Sequence, residues 1–208
     1  ADLALGKALH FAPDDPEVRF FRAKALCELG NDRQAINLLL EATQIDPTFT
    51  EAFCNLGFLL AENGKMEEAR REYENATTND PSCAEAFNGL GTIELSQGKF
   101  SRAEKLFRKS IFLNQELVIA HCNLVALKKF ETFDEDAKAV ENQLKRKEIT
   151  HDESVQLGFA LGKINEDIGE FDNAFIAFSG ANKRYRSKLN YSIEKDEAFT
   201  RNIINSVS

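Results

Sequence analysis

The side chains of this 208-residue chain that could carry chemistry are few and scattered. Three histidines, His10, His121 and His151, could act as general bases or metal ligands. Four cysteines, Cys27, Cys54, Cys83 and Cys122, could act as nucleophiles, zinc ligands or disulfide partners. Each of those chemistries needs its groups gathered at one point. The histidines lie far apart in the chain, and the cysteines show no CxxC spacing and fall in four separate segments. A zinc site or a disulfide framework is therefore not expected, and the cysteines read as small buried hydrophobes in a reducing compartment. His121 reads as a packing side chain. No Gly-rich phosphate loop, HExxH, GxSxG or Walker motif occurs. The expectation is a chain that is not itself an enzyme, with no catalytic residue, no metal and no cofactor of its own.

Charge narrows the partner class. The formal net charge is −8 and the pI about 5.1, which disfavours a nucleic-acid surface, because phosphate binding depends on clustered Lys and Arg. The one basic cluster, Lys183, Arg184, Arg186 and Lys188, reads as the solvated end of a helix. In EEARREYE, residues 67–74, Glu67 with Arg71 and Arg70 with Glu74 have the four-residue spacing of helix-surface ion pairs. Hydrophobic content of 43% suffices for a continuous core, and no run approaches the roughly 18 apolar residues needed to span a membrane. Residues 1–15 do not read as a secretory signal, and a cytoplasmic location is expected.

The organisation that must position any site is a repeat. EAFCNLGFLLAENG at residues 51–64 returns as EAFNGLGTIELSQG at residues 85–98, 34 positions later. Ala35, Ala69, Ala103 and Ala137 keep that step, as do Gly30, Gly64 and Gly98 until Thr132 takes the fourth place. Ala23, Gly57 and Gly91 form another small series, broken by Val125. Larger side chains follow at Leu39, Tyr73 and Phe107, then Ala42, Ala76 and Ser110, and two units close with Pro47 and Pro81. Apolar residues between Pro16 and Leu29, and between Ala52 and Glu62, fall at three- and four-residue steps, the pattern of one helix face. A second run starts past each glycine, which supplies the left-handed conformation of a tight helix end, while the small residues let two helices approach closely. Thr48 with Glu51 and Ser82 with Glu85 read as capping boxes, and Asp15 before Pro16 as an N-cap. Each unit is predicted to be helix, turn, helix.

This pattern resembles the tetratricopeptide repeat. Phe53, Leu56, Gly57, Leu60, Ala69, Tyr73, Ala76 and Pro81 fit its consensus, and Phe87, Leu90, Gly91, Ala103 and Phe107 match well, with Asn114-Gln115 in place of the closing Asp-Pro. The first unit departs at Arg19 and Arg22, and the fourth carries His121, Val125 and Thr132 at signature positions, so irregular packing is expected there. The resemblance implies an all-α, right-handed superhelical solenoid of antiparallel helix pairs. Its units are expected at 16–47, 48–81, 82–115, 116–149 (degenerate) and 150–192, the last with an extended second helix. Residues 1–15 are expected as the second helix of a truncated preceding repeat, with Ala1, Leu5, Ala8 and Pro13 in register, and residues 193–208 as a capping or connecting helix with a Phe199, Ile203, Val207 stripe. Three residues are inserted near Lys145–Asp152.

In such arrays the first helix of each pair lines a concave face that binds proteins or extended peptides. The positions implied are Phe20, Lys24 and Cys27, then Cys54, Asn55 and Phe58, then Asn88, Thr92 and Leu95, and finally Asn123, Ala126 and Phe130. An asparagine amide both donates to and accepts from a peptide backbone. AFCNLG is similar to the repeats of O-linked N-acetylglucosamine transferases, whose groove asparagines hold peptides this way, but Phe21, Gly89 and Ala160 interrupt the ladder here. The carboxylate clamp of chaperone-binding members needs a lysine where this chain has Phe20, Cys54, Asn88 and Cys122, so that route is not expected.

Residues 157–193 go beyond the generic repeat. FALGK, ED-x-GEFD-x-AF, GANK-x-x-R and Tyr191 resemble the last repeat before the catalytic domain in bacterial tetratricopeptide-repeat sulfotransferases. That resemblance implies a sulfotransferase domain after Ser208, and a sulfonate-donor nucleotide only there. The alternatives are a free-standing adaptor in a multiprotein assembly and a self-associating scaffold.

Overall fold

The structure, a computed structural model, describes residues 14–188. The helix expected over residues 1–15, up to residue 13, the C-terminal helix expected over 193–208, Tyr191 and His10 lie outside the described residues. Within them the chain is all α-helical: α1 Pro16–Glu28, α2 Asp32–Ile45, α3 Thr50–Glu62, α4 Met66–Asn79, α5 Ala84–Ser96, α6 Phe100–Leu113, α7 Val118–Leu127, α8 Glu135–Leu144, α9 His151–Asp167 and α10 Phe171–Lys188. The chain divides into two compact units between Leu127 and Lys128, inside the repeat expected at 116–149.

In the first unit, α1 packs on α2, α3 on α4 and α5 on α6 as antiparallel pairs, while the first helices α3, α5 and α7 also meet side by side. The pairs close at Gly30, Gly64 and Gly98, whose φ values are 72°, 76° and 73°. At each, two backbone bonds satisfy the carbonyls left over at a helix end: Gly30 N donates to Cys27 O and Asn31 N to Leu26 O, both at 2.9 Å. Lys65 N to Leu60 O and Lys99 N to Glu94 O repeat the wider bond.

A large side chain from each second helix fills the space that a small residue leaves in the first helix, always 16 residues earlier. A Cβ on Gly57 would lie 3.0 Å from the Tyr73 ring, and one on Gly91 2.5 Å from Phe107. Ala23 and Leu39 occupy the same two places in the first unit, both buried. Close approach of two helices is thus obtained by deleting a side chain on one of them.

Two local expectations are corrected. The boxes at Thr48/Glu51 and Ser82/Glu85 do not form; α3 and α5 start later, after Phe49 and Cys83, with no side-chain cap. The donors are taken by the aspartate two residues back: Asp46 Oδ1 accepts from Thr48 N at 2.8 Å and its hydroxyl at 2.7 Å, and Asp80 does the same for Ser82. Asn114 accepts from Glu116 N at 3.0 Å, so the third unit keeps this turn without Asp-Pro. Asp15 does cap α1, accepting from Glu17 N and Val18 N. The second correction concerns Arg70, which does not pair with Glu74 but reaches Glu94 on α5 at 2.7 Å. Glu94 is 5% exposed, and its other oxygen lies 3.8 Å from Lys99 and 3.9 Å from Arg102. A buried carboxylate needs such partners, and this one outcompetes a solvated i, i+4 pair. Arg19, unusual for its position in the repeat, likewise reaches across to Glu41 on α2 at 2.9 Å.

In the second unit α9 packs on α10 and on α8. Gly169, φ 83°, closes the α9–α10 turn, and a Cβ on Gly162 would meet the Phe178 ring at 2.4 Å, again 16 residues on. Thr150 and Glu153 form a true capping box at the start of α9, just past the inserted residues. Where Thr132 replaces glycine there is no such turn. Residues 128–134 leave the helix, and charged side chains hold them: Lys128 pairs with Asp134 and with Asp136, the latter at 2.7 Å. Lys163 donates to Lys128 O at 2.8 Å, and Asp167 accepts from Phe130 N at 3.2 Å.

Candidate functional site

The faces of α3, α5 and α7 enclose an open cavity of about 400 Å³ in the first unit. Helical periodicity explains its lining. Asn55, Phe58 and Glu62 recur at three- and four-residue steps on α3, as do Glu85, Asn88 and Thr92 on α5, and Ile119 and Asn123 on α7. Tyr73 of α4 reaches its floor between Gly57 and Gly89.

The polar groups form a partly satisfied network. Asn123 Nδ2 donates to Asn88 Oδ1 at 2.9 Å and approaches Thr92 Oγ1 at 3.5 Å, and Thr92 donates back to Asn88 O at 3.1 Å. Asn55 Nδ2 turns back to Glu51 O at 2.8 Å. Among the described residues this leaves Asn88 Nδ2, Asn123 Oδ1 and Asn55 Oδ1 without protein partners. Burial, with Cys54 and Glu62 nearby, pushes the Tyr73 phenol up, so it stays protonated. Glu62 and Glu85 are the charged residues of the lining, and no lysine or arginine joins them.

Five of the groove residues expected from sequence, Asn55, Phe58, Asn88, Thr92 and Asn123, are brought together here, with Cys54 beside them. Two others do not face a groove. Phe20 is 2% exposed and packs against Phe49 at 5.0 Å between ring centroids. Phe130, 1% exposed, belongs to the core of the second unit. Lys24 is exposed on α1, 5.4 Å from the Phe20 ring and outside the cavity lining. The break in the asparagine ladder at Gly89 has a steric cause, because a Cβ there would stand 2.2 Å from Tyr73 Cζ. His121 is a core residue, its Nε2 2.9 Å from Gln115 O. Sequence reasoning missed Glu62, Glu85 and Ile119, which the one-residue-per-turn pattern of α3, α5 and α7 could have supplied, and Tyr73, which reaches the lining from α4.

A second cavity, about 670 Å³, lies among α8, α9 and α10. Its buried amide, Asn165, is already spent on Leu161 O at 2.8 Å, and its carboxylates Glu141 and Glu170 share the lining with Arg184. The basic cluster of α10 is exposed, with Lys188 paired to Asp152 at 2.6 Å. Among the described residues no group of three or more His, Cys, Asp or Glu could hold a metal ion, and no helix is long and apolar enough to cross a membrane.

Two repeat families match the part of the chain built from these glycine-closed helix pairs: a tetratricopeptide repeat family matches residues 54–115 and a TPR repeat family residues 23–64. Residues 23–115 carry tetratricopeptide repeats. Such repeats serve protein–protein interaction and are typical of non-catalytic regions. Over 71 residues the chain is 35% identical to small glutamine-rich tetratricopeptide repeat-containing protein 2 of Mycosarcoma maydis, and over 65 residues 35% identical to TPR repeat-containing thioredoxin TTL4 of Arabidopsis thaliana. These matches take in 34% and 31% of this chain but only 20% and 10% of those proteins. The fold is similar to that of yeast Tom70, with a TM-score of 0.67 and 20% identity over 99% of this chain and 43% of that one. It is also similar to that of MamA, with a TM-score of 0.55 and 20% identity over 81% and 97%. The two repeat matches stop short of residues 157–193, where the resemblance to sulfotransferase-associated repeats rests, and none of these relatives is named as a sulfotransferase.

Proposed function

We propose that the tetratricopeptide repeats of the first unit hold an extended segment of a partner protein across α3, α5 and α7. The observation that carries this reading is the pair of unspent amide groups, Asn88 Nδ2 as donor and Asn123 Oδ1 as acceptor, in an open cavity that also holds the unspent Asn55 Oδ1. A peptide main chain offers one C=O and one N–H per residue and can meet both without supplying a particular side chain. Phe58, 55% exposed, and Ile119 supply apolar contact, and Glu62 with Glu85 favour a lysine or arginine in the bound segment.

The chain would act by recruitment, raising the effective concentration of its partner near whatever else the full protein carries. That the curated relatives match over a fifth or less of their own lengths supports a module within a larger protein. No observation favours a sulfotransferase as that remainder. The test is a fluorescence-anisotropy screen of a library of unstructured peptides with and without lysine or arginine, at low and high salt. Basic peptides should bind the wild type, and Asn88→Ala with Asn123→Ala should weaken them about tenfold, the loss of roughly 1 kcal/mol or more of hydrogen bonding. Equal binding by wild type and the double variant would remove the groove from the account.

A further inference from the structure

Cys54 and Cys83 come from different repeats, 29 residues apart, yet their sulfur atoms are 3.1 Å from one another. The register of the pairs explains the meeting. Cys54 is the fifth residue of α3, Cys83 is the N-cap residue of α5, and the first helices of neighbouring pairs lie side by side. Both thiols are free and nearly buried, and Cys54 also lines the cavity of the first unit, which gives a small molecule a route to the pair. We infer that Cys54 and Cys83 are a two-cysteine oxidation site that a peroxide converts to a disulfide joining α3 to the start of α5.

The two sulfurs are not equivalent. Cys83 is held below its ordinary value first by the hydrogen bond from Cys54, against the opposing effect of burial, with a further contribution from a backbone N–H at Ala86 in the first turn of α5. Cys54 is raised by that same bond and by burial. The carboxylates facing the pair, Glu85, Asp80 and Glu51, all work against a thiolate. Cys83, as the N-cap residue of α5, lies at the helix end whose N–H groups favour a thiolate, and it is the attacking sulfur. Its thiolate attacks one oxygen of hydrogen peroxide, the O–O bond breaks, and the departing hydroxide takes up the proton Cys83 released, leaving water and a sulfenic acid on Cys83. Cys54 then attacks the Cys83 sulfur, the S–O bond breaks, and hydroxide leaves with the Cys54 proton as a second water. The two thiols lose two electrons together and the peroxide gains them. Because the bond ties two helices that both contribute to the cavity, oxidation fixes one wall of it. The site stands independently of any bound peptide.

The experiment treats the full chain carrying Cys27→Ser and Cys122→Ser with hydrogen peroxide, alkylates the remaining thiols, and maps linked peptides by mass spectrometry. This background keeps both residues of the pair, so the result does not depend on a variant with a disturbed core. The native protein should lose two hydrogens and yield one intramolecular Cys54–Cys83 peptide, more than about tenfold faster than the same chain unfolded in urea, because the fold holds the reacting atoms together. The oxidised form should melt higher, and dithiothreitol should reverse both changes. Sulfinic acid at Cys83 with Cys54 still free, thiols that stay reduced, or a bond that forms no faster in the native chain would each overturn the proposal.

Discussion

The turn at residues 63–65 and the loop at residues 128–134 face one problem, how to leave a first helix and enter a second, and solve it with different chemistry. At the turn the backbone does most of the work: Gly64 takes φ 76°, two N–H groups return to the helix end, and the one side chain that joins them is a neutral amide, Asn63 Nδ2 donating to Leu59 O at 2.8 Å. In the loop Thr132 cannot replace that glycine cheaply, and the chain is held by Lys128, Asp134 and Asp136, with Lys163 and Asp167 gripping its backbone. The helices beside it, α7 and α8, run ten residues each where those of the regular units run 13 or 14. A backbone turn is insensitive to salt and leaves the neighbouring surface unconstrained. A side-chain clasp binds several charges to a structural task and responds to ionic strength.

If the regular units are held by helix packing, the largest effect belongs to Phe107, fully buried against Gly91. Phe107→Ala should cost about 4 kcal/mol in urea denaturation. Next comes the clasp that the regular region does possess. Arg70→Ala leaves Glu94 buried with only its more distant cations and should cost about 3 kcal/mol. Burial works against the Glu94 charge, but Arg70, with Lys99 and Arg102 adding, holds the carboxyl below its ordinary 4.5. Its stabilisation is present above that value and lost as pH falls through the lower folded value, so acidification should erase much of the difference between wild type and Arg70→Ala.

Gly64→Ala isolates the backbone solution, since no atom lies within 4 Å of the new Cβ; only the left-handed conformation is strained, and the cost should be about 1 kcal/mol. The smallest effect should come from the loop. Lys128→Met should cost about 0.5–1 kcal/mol at low salt and almost nothing in 1 M salt, followed by hydrogen exchange of the second unit's amides. A Lys128 effect larger than that of Gly64, or one indifferent to salt, would break the contrast.

What could be read before the structure divides along the same line. Gly30, Gly64 and Gly98 announced their turns because only glycine takes that conformation freely, and the 34-residue step announced the helix pairs. That Asn55, Phe58, Asn88, Thr92 and Asn123 line one cavity was legible because neighbouring units place equivalent positions side by side. Thr48 and Ser82 misled because the same hydroxyl can cap a helix or close an Asx turn, and Asp46 and Asp80 decided it. Phe20 and Phe130 misled because helix phase alone does not say which aromatic the core will take. Arg70 and Glu94, and the two cysteine sulfurs, are partners 24 and 29 residues apart, distances that the 34-residue step does not single out.

The constant interval of 16 residues between a missing side chain and the large one that occupies its place also limits how such a chain can change over time. Gly57 with Tyr73, Gly91 with Phe107 and Ala23 with Leu39 divide a similar volume differently, and a methyl gained on the first helix is matched by a smaller partner on the second. Drift at either position alone meets a steric wall, while a compensating pair of changes leaves the interhelix spacing where it was. Sister units should therefore diverge by correlated exchanges at this interval, and an unmatched exchange such as Val125 with Glu141 marks a unit released from that constraint.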